Sequence, residues 1–460
     1  MTDYPDHANP LHLLARHIAE TRLDSIPEAA TEAGKTFLLD TWGVGVAGRG
    51  ESWARRLPEV AAGWGAGGDA GAWGAGVRLP AGSAALVNAY FVHCLEYDCV
   101  HEGGTVHAMA TMLPAALAFA EREGSIGGAA FLRALVLGMD VAGVMGLASR
   151  GAMTFFRPAT VGAWGAAAAL CALAGLDGEA TVNVFGNLYG QISGTLQPHL
   201  EGSSLLAMQM GFNARAALTA LDLSRAGLRG PRDVLVGRYG YFNLFEGGLH
   251  AAGEVFATLG RDWQATRFSH KPFPAGRLTH GAVEALLRLR EEHGLTPERV
   301  ERVTVSAPPL VNRLVGRPDV PDPAPAYARL CLPFVAATAL RGGRLDVPDF
   351  APQCLRDTET HALAARIDVV DDGNPDPNAM VPQHVQVRLS GGGSLELELQ
   401  QVLGSPEAPF SREDNLAKFR RNWGYGAQRL DPEAGERLIG MVDELESLVD
   451  MRELAALLQR

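Results

Sequence analysis

The clearest β-strand pattern of the sequence lies at residues 385–399, which run Val385-Gln386-Val387-Arg388-Leu389-Ser390-Gly391-Gly392-Gly393-Ser394-Leu395-Glu396-Leu397-Glu398-Leu399. Apolar and polar side chains alternate on both sides of the three glycines, and this period of two is typical of half-buried β-strands. Glycines between two such runs favour a tight reversal of the chain. We therefore predict a β-hairpin over these residues.

Further strand and helix patterns precede this hairpin. Residues 300–305 also alternate apolar and polar side chains. Residues 281–292 and 329–340 instead carry apolar side chains at a spacing of three to four, which predicts amphipathic helices. The segment from about residue 268 to residue 400 is therefore predicted to form a small α+β domain.

The rest of the chain has helical spacing almost throughout, from about residue 9 to residue 265 and again from residue 412 onwards. The clearest helical runs before the α+β segment cover residues 26–43, 83–97, 114–122, 131–148 and 158–175.

Together these patterns predict a mainly α protein with two domains. Residues 1–267 and 401–460 form a large all-helical domain in this prediction, and residues 268–400 form a smaller α+β lid domain inserted into it. The length of 460 residues also favours two domains over one.

Composition narrows the class of protein. The formal net charge of -12 argues against a general surface for nucleic acid or for an anionic membrane. Five cysteines without a C-x-x-C pair favour a reducing compartment. Residues 1–6 contain no apolar leader, and no uninterrupted apolar run reaches the roughly 18 residues of a membrane span. We expect a cytoplasmic protein without a nucleic-acid or membrane partner.

Ionisable side chains concentrate where the predicted helix of residues 83–97 ends. Asp98, His101 and His107 lie on a connection broken by Gly103 and Gly104, before a helix expected to begin around residue 112. Such connections often carry catalytic groups, and a histidine beside a carboxylate acts as an acid or base near neutral pH. The alternative is a solvated loop whose histidines only cap the helices.

A metal site is a second alternative for the same segment. Histidine and carboxylate donors are present, but His101 and His107 are six residues apart with two glycines between them. This spacing differs from the i, i+4 histidine pair of a helical zinc site, so we predict no metal. Cys99 is disfavoured as a nucleophile because nothing nearby in the sequence would activate its thiol.

A second polar segment begins at Lys271, which is followed by Pro272-Phe273-Pro274. The prolines hold the chain out of a helix, and a rigidly held lysine binds a substrate carboxylate or, when desolvated, acts as a base. Arg277 lies close behind as a further candidate for substrate binding. The alternative is a domain linker stiffened by its prolines.

Arg157 begins a third candidate site, because Pro158 favours a helix start and leaves free backbone N–H groups beside the guanidinium. This predicts an anion cradle, and the alternative is an arginine that only caps or packs at a helix end. The sequence contains neither a phosphate-binding P-loop nor a G-x-S-x-G elbow. The glycine-rich residues 43–48 follow a helical run, so they fail the context of a dinucleotide site.

Several short segments, taken together in order and spacing, resemble the MmgE/PrpD family over nearly the whole chain. The segments are Phe37-Leu38-Leu39-Asp40-Thr41-Trp42-Gly43-Val44 with Ala47-Gly48, Ala84-Ala85-Leu86-Val87-Asn88-Ala89, His93-Cys94-Leu95-Glu96-Tyr97-Asp98, Leu113-Pro114-Ala115-Ala116-Leu117-Ala118, Gly237-Arg238-Tyr239-Gly240-Tyr241, Lys271-Pro272-Phe273-Pro274, Thr279-His280 and Asn415-Leu416-Ala417-Lys418-Phe419.

This resemblance implies a helical domain formed by both chain ends with an inserted lid, a homodimer and no redox cofactor. It also implies an active site between the domains that abstracts a proton from a small polycarboxylate, with elimination, decarboxylation or epimerisation to follow. By position, His107 resembles the loop histidine of the family pocket and Lys271 its lid-hinge lysine. Glu96 and Asp98 resemble its acidic pair.

Four positions depart from the family pattern. Arg157 stands where the family commonly has histidine, Leu206 where it has a second lysine, Cys99 where it has a second aspartate, and Phe334 where it has a lid tyrosine. These departures imply an altered substrate or altered chemistry.

The leading hypothesis is a cofactor-independent lyase or isomerase that acts on a small carboxylate-bearing substrate. The predicted catalytic residues are His107, Asp98 and Lys271. The predicted substrate-binding residues are Glu96, His101, Arg157, Arg277 and Phe334. Two alternatives stay open: a less charged biosynthetic intermediate as substrate, or a non-catalytic binding protein on the same fold.

Overall fold

The computed structural model describes residues 9–426 and 430–459. The segment of residues 1–6, in which the sequence predicts no leader, lies outside the described residues. The described chain is mainly α, which confirms the predicted fold class. The lid arrangement and the two domain boundaries remain predictions.

Helices dominate the chain up to residue 256. The elements in order are α1 (Pro10–Glu20), α2 (Glu28–Gly48), α3 (Leu57–Ala62), β1 (Ala70–Ala72), β2 (Val77–Leu79), α4 (Ala81–His93), β3 (Val100–His101), α5 (Ala108–Glu123), α6 (Gly128–Ala148), α7 (Arg157–Leu173), α8 (Gly178–Tyr189), α9 (Gln197–Glu201), α10 (Leu205–Arg225), α11 (Tyr241–Phe245) and α12 (Ala252–Phe256).

Strands and helices mix after this point, and helices return at the C-terminal end. The elements are β4 (Phe268–Ser269), α13 (His280–His293), β5 (Val300–Ala307), α14 (Pro309–Val315), α15 (Pro325–Ala328), α16 (Leu332–Gly342), α17 (Thr358–Ala364), β6 (Ile367–Asp371), β7 (Gln383–Leu389), β8 (Ser394–Leu399), α18 (Arg412–Gly426), α19 (Pro432–Asp443) and α20 (Met451–Ala455).

The predicted hairpin is confirmed as β7 and β8, which pair antiparallel from Gln383 opposite Leu399 to Arg388 opposite Ser394. Gly392 and Gly393 take positive φ angles of 86° and 85° in the turn, a conformation that residues with a Cβ rarely adopt. The four-stranded sheet has the order β6-β5-β7-β8, in which β5 runs parallel to β6 and antiparallel to β7.

Several helix boundaries differ from the sequence prediction, and three of them matter here. Helix α4 ends at His93 rather than near residue 97, so Glu96 and Asp98 both follow it in a turn. Helix α2 continues to Gly48 rather than ending near Gly43, since its last turn is buried against other helices. Helix α5 begins at Ala108, so Pro114 lies inside it and not in its first turn. The buried environment of α5 outweighs the backbone hydrogen bond that Pro114 removes. The earlier start places His107 directly at the N-terminus of α5.

Helix α6 is long and apolar enough to cross a membrane by length and composition. Arg133 and Asp140 interrupt it, and 83 % of its most apolar stretch is buried inside the protein. Its apolar surface is therefore covered by other helices, as expected for a core helix.

Close approach between α2 and α4 fixes the position of α4, which leads into the acidic segment of residues 96–107. Gly48 lies at the end of α2, and a Cβ there would stand 1.8 Å from the backbone oxygen of Phe91 in α4. Only glycine allows this contact, because the obstacle is backbone and cannot rotate away.

The substitution Gly48→Ala is expected to lower the free energy of unfolding by about 3 kcal/mol or more, because α2 must move away from α4. The matched control is Gly440→Ala in α19, where an added Cβ meets nothing within 4 Å. That change is expected to stabilise by up to about 1 kcal/mol, as alanine is the better helix former. Chemical denaturation of both variants measures the difference. Equal stabilities would contradict the close packing of α2 on α4.

Candidate active site

A short two-stranded ladder brings the two polar segments of the sequence together. Val100 pairs with Ser269, and His101 pairs with Phe268, in an antiparallel arrangement of β3 and β4. The acidic segment thus runs beside the segment that begins at Lys271, although about 170 residues separate them in sequence.

Asp98 lies at the centre of the site, between two imidazoles. Its Oδ2 atom accepts a hydrogen bond from Nδ1 of His107 at 2.9 Å. Both carboxylate oxygens lie 3.1 Å from Nδ1 of His93, the last residue of α4. Asp98 is fully buried, so its charge depends on these two partners instead of water.

Glu96 connects this group to Lys271. The Nζ atom of Lys271 lies 3.1 Å from Glu96 Oε2 and 3.2 Å from the backbone oxygen of the same residue. Nε2 of His93 lies 3.4 Å from Glu96 Oε1. Contacts of 3.4 Å or less therefore form one buried network, in which acidic and basic side chains alternate in the order Lys271, Glu96, His93, Asp98 and His107.

Burial and neighbouring charges set the protonation states. Burial opposes ionisation of Asp98, but His93 and His107 outweigh it and hold the pKa of Asp98 well below its usual range. Burial also opposes the charge on His93, yet Asp98 and Glu96 raise its pKa. For Glu96, Lys271 and His93 outweigh burial and lower the pKa to about 2. The two carboxylates are thus charged, and the pKa of His93 favours its imidazolium form.

His107 differs from His93, because burial lowers its pKa and Lys271 acts in the same direction, against the charge of Asp98. At neutral pH its ring is therefore neutral. Since a carboxylate only accepts hydrogen bonds, the ring proton lies on Nδ1, toward Asp98. Nε2 is left with a free lone pair and, among the described residues, no hydrogen-bond partner. This arrangement is that of a general base.

His107 lines a narrow cavity with a volume of about 60 Å³. This is smaller than the ~300–1,000 Å³ that small-molecule pockets usually occupy. The walls come from both the helical part and the α+β segment. They are mostly apolar, and the polar lining residues are His93, Glu96, Thr105, His107, His199 and Arg277.

His199 supplies a second oriented imidazole to this cavity. Nη2 of Arg317 lies 2.9 Å from its Nδ1 atom, and burial, together with Arg317, lowers the pKa of His199 to about 4. Because arginine only donates, Nδ1 must accept and the ring proton lies on Nε2. The cavity wall thus carries an imidazole acceptor at His107 and an imidazole donor at His199.

Two family models match most of the chain. The MmgE/PrpD N-terminal domain matches residues 12–252, and the MmgE/PrpD C-terminal domain matches residues 273–447. The chain belongs to the MmgE/PrpD family. The resemblance inferred from the sequence motifs is therefore confirmed.

Two curated relatives of this MmgE/PrpD protein align over nearly its full length. The cis-aconitate decarboxylase-like protein oryM of Aspergillus oryzae is 26 % identical, with 100 % of this chain and 99 % of the relative covered. Human cis-aconitate decarboxylase is 24 % identical, with 95 % of this chain and 92 % of the relative covered.

Two of the predicted substrate-binding residues lie in the protein interior instead of on the cavity wall. His101 is buried, with Nε2 3.1 Å from Gln264 Oε1 and Nδ1 accepting from the backbone N–H of Gly104. Phe334 packs in a separate hydrophobic cluster, near Phe350. Their contacts are those of residues that hold the loop and the α+β segment, and the predicted contact of each with substrate stays a prediction.

The two predicted arginines already have acidic partners. Arg157 is buried and binds Glu246 through Nε at 3.2 Å and Nη2 at 2.7 Å, which satisfies the anion site that the sequence predicted as free. Arg157 therefore matches the alternative of an arginine that packs at a helix start, and its role in substrate binding stays a prediction. Arg277 does line the cavity, but its Nη2 atom lies 2.8 Å from a carboxylate oxygen of Glu102.

Lys271 meets Glu96 rather than the cavity, because its side chain is fully buried against that carboxylate. Two residues of the site, His93 and His199, were absent from the predicted set. His93 has the spacing of an apolar helix face, and only the carboxylate three residues later signals its role. His199 has no local signal, since its orienting partner, Arg317, lies 118 residues away.

The side chains of His93, Asp98 and His107 also lie close enough to hold a metal ion, with one donor atom from each within 4.8 Å of the others. Both Nδ1 atoms, however, are engaged by the Asp98 carboxylate at hydrogen-bond distance. A metal would have to displace both of these hydrogen bonds.

The pair Lys271–Glu96 generates a stability prediction. Lys271→Met removes the ammonium that keeps a buried carboxylate charged, so we expect a loss of about 3–5 kcal/mol at pH 7. The lowered pKa of Glu96 stabilises the folded state above pH 4.5, and this contribution disappears as the pH falls toward about 2. The difference in unfolding free energy between wild type and Lys271→Met should therefore shrink in acid.

The double variant Lys271→Met/Glu96→Gln is the matched control, because it removes both charges. We expect it to recover much of the lost stability at pH 7 in denaturant titrations. A double variant no more stable than Lys271→Met would contradict the buried ion pair.

Proposed function

We propose that this MmgE/PrpD protein is a lyase or isomerase that moves a proton at a carbon next to a carboxylate of a small substrate. The observation that carries the proposal is the 2.9 Å contact between Nδ1 of His107 and Asp98, in a ring that also lines the cavity. Side chains of this chain supply the base, the donor and the charges, so the proposed reaction needs no cofactor.

In the proposed step, Nε2 of His107 takes the proton from the carbon beside the substrate carboxylate. The electron pair of the broken C–H bond moves toward that carboxylate, and an enolate-like charge develops. The Nε2–H group of His199 is suited to donate a hydrogen bond to this charge. Asp98 stabilises the imidazolium that His107 becomes.

The same groups can support three reactions, and the functional groups of the substrate determine which one occurs. In a dehydration the electron pair expels a β-hydroxyl group, which leaves as water with the proton that the His107 imidazolium returns to it. In an epimerisation the intermediate takes a proton from water on its opposite face, and His107 releases the abstracted proton to solvent. In a decarboxylation CO₂ leaves first, and the carbon takes a proton from His107 after that ring has gained one from solvent. Decarboxylation is the first to test, because both curated relatives carry that activity in their names.

The contacts of the site favour an enzyme over a binding protein on the same fold. Asp98 and His107 are in direct hydrogen-bond contact at 2.9 Å, and Glu96 and Lys271 in direct contact at 3.1 Å. General acid–base catalysis requires this proximity, whereas a binding site does not. The homodimer and the cytoplasmic location remain predictions from the sequence.

A second candidate is a substrate with fewer carboxylates. Arg277 is paired with Glu102, and Arg157 with Glu246, so neither guanidinium is free for a substrate carboxylate. A narrower cavity adjoins the first, shares His93, Glu96 and Leu330 with it, and is lined by Leu206. Balanced charges and an apolar wall favour a substrate with one or two carboxylates over a tricarboxylate.

The substitution His107→Gln is expected to reduce turnover by roughly 10²–10⁴-fold, because it removes the base and retains the side-chain size. Cis-aconitate, a set of dicarboxylic acids and a set of monocarboxylic acids are incubated in D₂O and followed by ¹H NMR for deuterium incorporation and product. His384→Gln, at a partly exposed histidine of β7, is the control that should retain activity. Wild-type rates in His107→Gln would contradict the proposal.

The pH profile of kcat/KM follows from the lowered pKa of His107. A reaction that begins with proton abstraction needs the neutral imidazole, so in dehydration or epimerisation activity should be constant at neutral pH and should fall only as the pH is lowered through a pKa below 6.5. A decarboxylation needs the imidazolium to deliver a proton, so its activity should rise over the same range as the pH is lowered. The pH dependence is measured from initial rates between about pH 4.5 and 8, with whichever of the tested acids is turned over fastest. A loss of activity that begins above pH 6.5 would contradict a neutral, buried base.

A further inference from the structure

Glu96 stands in a backbone conformation that its side chain does not favour. Its φ angle is 50°, in the left-handed region, where a residue with a Cβ persists only if its surroundings fix it. The residues on either side, Leu95 and Tyr97, are buried in a small apolar cluster with Val44 and Ala47. This cluster holds the side chains of the turn but does not satisfy its backbone.

Three buried cations bind the three consecutive carbonyl oxygens of this turn. Nη1 of Arg329 donates to Leu95 O at 3.3 Å. Nζ of Lys271 donates to Glu96 O at 3.2 Å, and Nζ of Lys418 donates to Tyr97 O at 3.0 Å. The three cations are each 3 % exposed or less, so each contact forms out of water.

The three cations come from distant parts of the chain. Lys271 follows β4, Arg329 precedes α16, and Lys418 lies in α18 near the C-terminal end. Nη1 of Arg329 also donates to Pro274 O at 2.8 Å, which ties the turn to the segment that carries Lys271. Lys418 is itself held by Asp40 of α2, with Nζ 2.7 Å from Oδ1.

The direction of the Asp98 carboxylate depends on this turn, because Tyr97 O belongs to the peptide group that leads into Asp98. Lys418 also lies over the ring of Tyr97, 4.2 Å from its centre, and the Tyr97 hydroxyl donates to Pro272 O at 3.2 Å. Tyr97 is thus fixed at its carbonyl, its ring and its hydroxyl, and rotation of the peptide before Asp98 is prevented.

We infer that Arg329 and Lys418 are positioning residues of the site: with Lys271, they clamp the carbonyls of Leu95, Glu96 and Tyr97 so that Asp98 faces His93 and His107. The role as a catalytic aid rests on the proposed function, whereas the clamp itself does not. Neither residue touches the cavity that His107 lines.

The test removes the clamp without leaving a buried charge behind. Lys418→Met/Asp40→Asn replaces the ammonium and its acid together, and Arg329→Gln removes one carbonyl contact while keeping a donor. Arg420→Met is the matched control, since Arg420 lies in the same helix but forms an exposed pair with Glu436. Lys418→Arg restores a donor at the first position.

The readout is the titration of the His93 and His107 rings, followed by ¹⁵N NMR on histidine-labelled protein without substrate. The charged and titratable groups around the two rings are Asp98, Glu96, Lys271 and His199, together with the rings themselves. If Asp98 turns away, both rings lose the carboxylate that favours their charged forms, and the pKa of each ring falls. We expect this fall in Lys418→Met/Asp40→Asn and in Arg329→Gln, none in Arg420→Met, and partial recovery in Lys418→Arg.

Turnover of the best acid of the panel is measured on the same variants. A displacement of the base by about 1 Å costs on the order of 100-fold in rate, so kcat should fall by roughly that factor in the two clamp variants. Unchanged ring titrations in both folded variants would overturn the clamp, since a merely structural role would lower only the thermal midpoint. If the ring titrations shift in the clamp variants but the wild-type protein turns over none of the tested acids, the clamp is supported and the proposed function is contradicted.

Discussion

Two carboxylates, two histidines and a lysine lie in contact below the protein surface, where water cannot neutralise them. Each carboxylate is therefore stable only beside its cationic partner, and each imidazole takes the protonation state that its neighbours impose. Asp98 favours the charged form of both histidines, whereas burial and Lys271 oppose it in both. Glu96 adds to the effect of Asp98 at His93, so the pKa of His93 is raised while that of His107, whose ring lies about 5 Å away, is lowered.

The fold serves to assemble this network from distant segments. Helix α4 delivers His93, the start of α5 delivers His107, and the β3–β4 ladder brings Lys271 to Glu96. The C-terminal helix α18 and the segment before α16 add Lys418 and Arg329 behind the turn. The strained backbone at Glu96, which costs roughly 1–3 kcal/mol, is held because these contacts leave it no alternative.

Local patterns in the sequence predicted the local structure well, and long-range contacts were the part they missed. The hairpin of residues 385–399 and most helices follow from periodicity, which is a property of neighbouring residues. Asp98, His107 and Glu96 were found because they are clustered in sequence. The contact of Arg157 with Glu246 was not foreseen because 89 residues separate them, and His199 was missed because Arg317 orients it from the α+β segment.

The buried network holds His107 as a neutral ring with its proton on Nδ1 and a free lone pair on Nε2. The most direct measurement is the ¹⁵N spectrum of the His107 ring in the free protein at pH 7, assigned by comparison with His107→Gln. The account predicts a protonated Nδ1 and an unprotonated Nε2. A doubly protonated ring, or a proton on Nε2, would contradict it.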